Sequence, residues 1–174
     1  RAHTPPAGVK PGETYRIQDL DLASRLSFFL WGGPPDEQLI DIAAAGRLKE
    51  RSVLEAQVRR MLRDPRNRTM VRGFTERWLN VDGLDIVNTD VLLYPDFTAD
   101  LIPAFKEELF QFVGSVFEED RNVNELMTAD WTFLNERLAI HYDIPGVRGG
   151  AFRKVVLTED YRRGLFGKGA VLMA

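Results

Sequence analysis

The sequence predicts an all-α fold: an orthogonal or antiparallel multi-helix bundle with at most one short β element near the C-terminus. Three observations predict it. Apolar residues recur at helical rather than alternating spacing through most of the chain. Helix start and stop residues punctuate it at intervals of one short helix. A single stretch, "FRKVVLTED", carries a β-branched run (Val155, Val156) suited to a strand.

The elements follow in order. Residues 1–15 read as a linker from a preceding domain, with Pro5, Pro6, Gly8, Pro11 and Gly12 close together. Residues 16–174 read as one helical domain, truncated at its C-terminus, where "GAVLMA" runs apolar to the end. Both ends are therefore expected to be cuts within a longer protein. The first helix is expected to open at Asp19 as N-cap and to close on Gly32 and Gly33, with Leu22, Leu26, Phe29 and Leu30 as its stripe. "DEQLIDIAAAG" starts at a capping Asp36 and stops at Gly46. "SVLEAQVRRMLRD" pairs Ser52 with Glu55 as a capping box and ends at Pro65. The next helix turns Met70, Val71, Phe74, Trp78 and Leu79 inward.

A looser connection, "VDGLDIVNTDVLLYPDF", leads to the longest helix, 101–118, with Asp100 as N-cap and Pro103 in the first turn. Leu101, Phe105, Leu109, Phe112, Val113, Val116 and Phe117 cover half of it. Glu107, Gln111, Ser115 and Glu118 occupy the other side. Burying each of those large apolar side chains is worth roughly 1.5–3 kcal/mol. "NVNELMTAD" is a short helix. A further helix opens around Phe133, with Thr132 as its cap, and runs to His141. "YRRGLFGKGAVLMA" reads as a final helix containing glycines.

Composition narrows the function classes. The chain has 174 residues, 44% hydrophobic and 28% charged, enough for a substantial core. A net charge of −3 and a pI near 5.5 are unlike a dedicated nucleic-acid domain. The chain has no cysteine, so it holds no disulfide, thiolate zinc site, cysteine nucleophile or covalently attached haem c. No apolar run reaches the ~20 residues of a membrane helix.

Four ordered segments carry a family resemblance: "LASRLSFFLWGGPPDEQLIDIAAAGRL", "VRRMLRDPRNRTMVRGFTERWL", "DWTFLNERLAIHYDIP" and "FRKVVLTEDYRRGLFGKGAVL". Over about residues 15–174 they resemble domain-of-unknown-function family 1592, found in large bacterial proteins, notably of planctomycetes. The resemblance implies a multidomain, exported parent, periplasmic or extracellular. It also implies cytochrome c-like haem modules elsewhere in that polypeptide, and neighbouring domains as partners. No reaction is established for the family, so it supplies no catalytic residues. Asp143 stands where the family tends to have glycine after "HY". Glycine suits a left-handed helix end and Asp tolerates one less well, so the departure bears on the backbone geometry there. "RRGLFG" departs slightly from the family's paired glycines.

Several side chains are candidates for chemistry, each beside a structural reading. His141, at the end of its helix beside Leu134 and Leu138, is a candidate base or ligand near neutral pH, or a core-edge imidazole. The other histidine, His3, lies in the linker, and no His-rich metal spacing exists. Glu136 is a candidate acid–base or polar contact, and Asn135 a candidate ligand contact. Either could equally serve the helix start. Trp131 is a candidate ligand platform or a core anchor, as are Trp31 and Trp78. Among the carboxylates, adjacent Glu107 and Glu108 diverge by about 100° on a helix and make a poor hydrolytic pair. "EED", 118–120, reads as a solvated helix end.

Between Arg47 and Arg77 there are ten Lys or Arg against four Asp or Glu. Arg59, Arg60, Arg63, Arg66 and Arg68 are thus candidates for a face toward an anionic partner, or for a solvated face with internal ion pairs. "GLFGKG" superficially resembles a phosphate loop but lacks its spacing and its Ser or Thr. Its glycines suit close packing or a tight turn. The leading expectation is a non-catalytic scaffold or interaction module with no cofactor or metal of its own. The alternative is part of a redox or hydrolytic enzyme whose site neighbouring domains complete.

Overall fold

A computed structural model describes residues 8–10, 12, 14–86, 90 and 92–174; His3, Pro5, Pro6 and Pro11 of the expected linker lie outside them. The chain divides into two units, Arg1–Arg66 and Asn67–Ala174.

The first unit consists of α1 (Asp19–Trp31), α2 (Glu37–Ala44) and α3 (Arg51–Arg63). Ala23, Leu30, Trp31, Leu39, Ala43, Leu48 and Met61 are buried in it. The Trp31 Nε1–H donates to the Met61 carbonyl at 3.0 Å, so the largest buried ring has its one polar atom satisfied. α2 is capped as expected: Asp36 accepts from the Leu39 amide at 3.0 Å. Gly32 and Gly46 take left-handed conformations after α1 and α2 (φ 68° and 69°), which glycine adopts without a Cβ penalty.

Three expectations here need correction. Gln18, not Asp19, precedes α1; Asp19 is its first residue and bridges instead to the loop before α3, accepting from the Leu48 amide at 2.8 Å and facing Lys49 at 3.0 Å. Ser52 lies inside α3, which follows Glu50 with no side-chain cap, and Glu55 pairs with Arg59 instead. The buried stripe of α1 is Ala23, Ser27, Leu30 and Trp31, whereas Phe29 is 70% exposed. Small residues at 23 and 27 permit close helix approach, which turns the bulkier Phe29 outward.

The second unit is organised on α5 (Leu101–Glu118), which packs against α4 (Arg68–Leu79), strand β1 (Trp131–Leu134), α7 (Glu136–His141) and α8 (Gly169–Met173). A 3-10 turn (Val81–Ile86), the short α6 (Glu125–Thr128) and strand β2 (Arg153–Val156) complete it. The core runs through Leu101, Phe105, Leu109, Phe112, Val113, Leu134, Leu138 and Tyr142. α5 is buried on nearly every side. Lys106, Glu108 and Ser115 are buried with its apolar residues, so its expected polar half is narrower than drawn and Ser115 belongs to the inner face. Asp100 precedes α5 without a side-chain cap bond.

The fold is mostly helical with one two-stranded antiparallel sheet. β1 pairs with β2 in the register Trp131↔Val156 to Leu134↔Arg153. The strand expected in "FRKVVLTED" forms as β2, but its partner β1 is a second strand that lies outside the C-terminal region, against the expectation of at most one β element there. The segment taken for the opening of a helix at Phe133 is a strand, and Thr132 caps nothing. Four residues of aromatic and β-branched character fit a strand or a buried helix turn equally by pattern, and pairing with β2 decides it. The helix begins only at Asn135, whose Oδ1 accepts from the Leu138 amide at 2.9 Å. At its far end Asp143 takes φ 56°, so the left-handed turn is kept although the residue is not glycine.

The C-terminal segment is not one helix. It forms 3-10 turns at Asp160–Arg162 and Leu165–Gly167 before α8. Here the glycines permit close approach, as the sequence suggests. A Cβ on Gly164 would lie 2.3 Å from the Met127 carbonyl oxygen, and one on Gly169 would lie 2.3 Å from the Phe105 ring. On α4, Phe74 and Trp78 are 45% and 48% exposed instead of facing inward. They stack on each other at 5.3 Å, and Phe74 also meets Phe117 edge-on.

Candidate functional site

The residues singled out from sequence fall into separate settings. Glu136, in the first turn of α7, spends both carboxylate oxygens locally. Oε2 accepts from the Gly149 amide at 2.7 Å and Oε1 faces Arg148 at 3.0 Å. Those contacts hold its carboxyl below the usual range, the Gly149 amide being the main cause. Asn135 is the N-cap just described, its amide oxygen engaged with the backbone.

His141 is half-buried at the end of α7. Its ring meets Phe105 edge-on at 5.3 Å and Phe97 at 6.4 Å, and lies 5.8 Å from Tyr142. Burial lowers its pKa, and the charges of Arg137 and Arg162 lower it further against a smaller opposing effect of Asp96. No carboxylate hydrogen-bonds the imidazole among the described residues. Trp131 is buried. Phe112 packs on it at 5.0 Å, while the Lys154 ammonium and the Arg121 guanidinium lie 3.9 and 5.0 Å from its ring.

In the first unit, Arg60 forks onto both Asp36 oxygens (2.6 and 3.0 Å). Arg66 pairs with Asp64 at 2.7 Å and lies 3.4 Å above the Trp31 ring. The Asp64 carboxyl is pulled down to about 2, chiefly by the Arg66 hydrogen bond. Arg59 pairs with Glu55. Arg63 makes no ion pair among the described residues. Arg68 belongs to the second unit, at the start of α4.

Sequence reasoning weighed Glu108 only as a poor hydrolytic partner of Glu107 and missed the buried polar cluster built on it. Glu108, mid-way along α5, is 1% exposed. Thr132 of β1 donates to its Oε1 at 2.6 Å, and the Tyr142 hydroxyl donates to its Oε2 at 2.6 Å. That hydroxyl in turn accepts from the Gly169 amide at 3.0 Å. Lys168, wholly buried, lies over the Phe112 ring (4.3 Å), with Nζ 3.4–3.5 Å from the Arg162 and Trp131 carbonyls. The Arg162 guanidinium covers the Tyr142 ring at 3.7 Å.

Burial sets the electrostatics of this cluster. It raises the Glu108 carboxyl, against the opposing pull of Lys168, Thr132 and Tyr142. It raises the Tyr142 phenol, aided by the charge of Glu108. It lowers the Lys168 ammonium to about 8, against the attraction of Glu108. Spacing offered one signal: Glu108 lies seven residues after Leu101, three after Phe105 and four before Phe112, on the apolar face. Its partners could not be read that way, because they arrive from β1, α7 and the C-terminal segment.

Glu108, Thr132, Tyr142 and Lys168 are all buried, and the hydroxyl donors of Thr132 and Tyr142 face the Glu108 carboxylate. Chemically the cluster can tie four chain segments together. Among the described residues no group of three or more His, Asp or Glu is arranged to hold a metal ion, and no helix is long and apolar enough to cross a membrane.

A family model described as "Protein of unknown function (DUF1592)" matches residues 17–144. That span includes Glu108, Thr132 and Tyr142 and stops before Lys168 and Gly169. No curated protein and no solved structure matches the chain.

Proposed function

The chain belongs to the DUF1592 family, and we propose that it serves there as a non-catalytic scaffold and interaction module, positioning neighbouring segments of a larger polypeptide. The observation that carries this reading is the use of its ionisable groups. Glu136 fastens the loop at Gly149, Glu108 fastens β1 and α7, and His141 is packed among aromatic rings. A general acid, base or nucleophile needs an open face toward a reacting atom. In these three the polar or aromatic contacts inside the fold take that place.

The wider setting is part of the same proposal. The parent is exported, to the periplasm or beyond, and its redox chemistry, if it has any, resides in haem-bearing domains outside this chain. The exposed arginines of the first unit are a face for an acidic neighbour, Arg63 among them making no internal ion pair among the described residues.

The test uses the full-length protein. Its optical spectrum and metal content are measured for the wild type and for His141→Phe. The scaffold reading expects identical metal stoichiometry and haem absorbance per protein, with unchanged folding. Loss of a metal or a shifted haem spectrum on replacing that ring, with circular dichroism unchanged, would overturn it in favour of an enzyme site shared with other domains.

A further inference from the structure

The second unit carries an open groove of about 380 Å³ between α4 and α5, bordered by Phe133 of β1 and by Phe152. That volume lies within the ~300–1,000 Å³ of ordinary ligand sites.

Its lining is unusual in its balance. Arg68 and Arg72 face it from α4, and Glu107 and Glu118 face it from α5. Arg72 is ion-paired to Glu107 and lies 4.7 Å over the Phe110 ring. The Gln111 amide donates to the other Glu107 oxygen at 2.9 Å. Glu119, on the rim, is engaged by Arg121. Arg68 and Glu118 are exposed and make no ion pair among the described residues. The groove therefore presents guanidinium donors, carboxylate acceptors and an amide with little net charge. Phe133 and Phe152 add half-buried ring surface.

The geometry points to a neutral oligosaccharide as the ligand of this groove. An anion would meet Glu107 and Glu118, and a cation would meet Arg68 and Arg72. An uncharged polyol offends neither. Each of its hydroxyls both donates and accepts, so one ligand satisfies guanidinium and carboxylate together. The planar, forked side chains match adjacent ring hydroxyls, and the C–H face of a sugar ring packs on an aromatic one. Gly114, at the groove floor, keeps the α5 surface low. A Cβ there would meet the Val71 side chain, which also lines the groove, at an ordinary contact distance of 3.6 Å.

Calorimetric titration of the full chain with cellohexaose, laminarihexaose, xylohexaose, mannohexaose and chitohexaose tests this. Saturable binding of at least one is expected, weakened tenfold or more by Phe152→Ala and by the double rim variant Arg68→Gln/Glu118→Gln. Glu55→Gln, in the first unit, leaves it unchanged. The rim side chains are exposed, so that variant keeps the test decisive should Phe152→Ala fail to fold. The proposal is overturned if none of the five binds at millimolar concentration, or if binding survives the rim variant. It is equally overturned if only polygalacturonate or oligoarginine binds, since a charged ligand would then own the groove.

Discussion

The Tyr142 hydroxyl donates to Glu108 at 2.6 Å while accepting from the Gly169 amide at 3.0 Å, so one oxygen joins α5, α7 and the C-terminal segment. Both bonds are buried, and neither partner has water to turn to. Tyr142→Phe removes the oxygen and nothing else. It leaves a buried carboxylate oxygen and a buried amide short of a partner, which costs about 3 kcal/mol. Urea denaturation of the two chains reads that loss directly. A loss under about 1 kcal/mol would show that the bridge contributes little.

Gly169 follows the same logic sterically. Alanine there would place its Cβ 2.3 Å from the Phe105 ring and 2.6 Å from the Tyr142 hydroxyl. Over-packing of this kind destabilises by about 3 kcal/mol or prevents folding. Gly46 is the control: it has a left-handed φ of 69° but open space around it. Gly46→Ala is expected to cost only about 1 kcal/mol. Equal melting-temperature losses for the two variants would contradict the close-packing account.

The buried ammonium of Lys168 makes a pH signature. Its folded pKa, lowered to about 8 by burial, lies beneath the unfolded value of 10.5. Between those values the unfolded chain holds the proton and the folded chain has released it. Stability therefore rises as pH climbs from about 8 toward 10, by up to about 3 kcal/mol. Above pH 10 the raised phenol of Tyr142 acts the other way, because the unfolded tyrosine ionises first, and the curve turns down. Lys168→Met is expected to abolish the rising limb. Melting temperatures at intervals from pH 7 to 11 would show it, and a wild-type curve flat from 8 to 10 would refute the assignment.

His141 gives a signature of the same sign at lower pH. Its folded pKa lies below 6.5, so on acidification the unfolded chain takes up the proton first and stability is lost as pH falls from about 7 through the folded value. His141→Phe keeps the edge-on aromatic packing and removes the titration. The variant is expected to match the wild type at pH 7.5 and to exceed it at pH 5. Chemical denaturation at the two pH values checks both statements.

How far the fold was legible depended on the range of the interactions. Asp36, Gly32 and Gly46 act on backbone groups within a few residues, and their roles in α2 and at the helix ends follow from local order. Trp131–Leu134 did not follow, because its strand exists through partners in 153–156 and its four residues carry no period of their own. Asp19 was misjudged for the same reason: it resembles a cap, but its carboxylate answers Leu48, 29 residues on. Glu108 was half legible. Its spacing from Leu101, Phe105 and Phe112 marked the buried face, while the donors that make its burial tolerable lie 24 and 34 residues downstream. The exposed stack of Phe74 on Trp78 shows the limit of the apolar stripe as a guide, since a stripe says which side is oily and not whether anything covers it.

The sheet has one more outcome. Because β1 and β2 fasten Leu134 opposite Arg153, and Glu136 laces Gly149 just inside them, residues between Asp143 and Arg148 form an excursion knotted shut at its neck. Gly146 at its tip has nothing within 4 Å of where a side chain would begin. A fluorophore or a short epitope grafted at that tip would report on the domain from outside while the interior went on undisturbed.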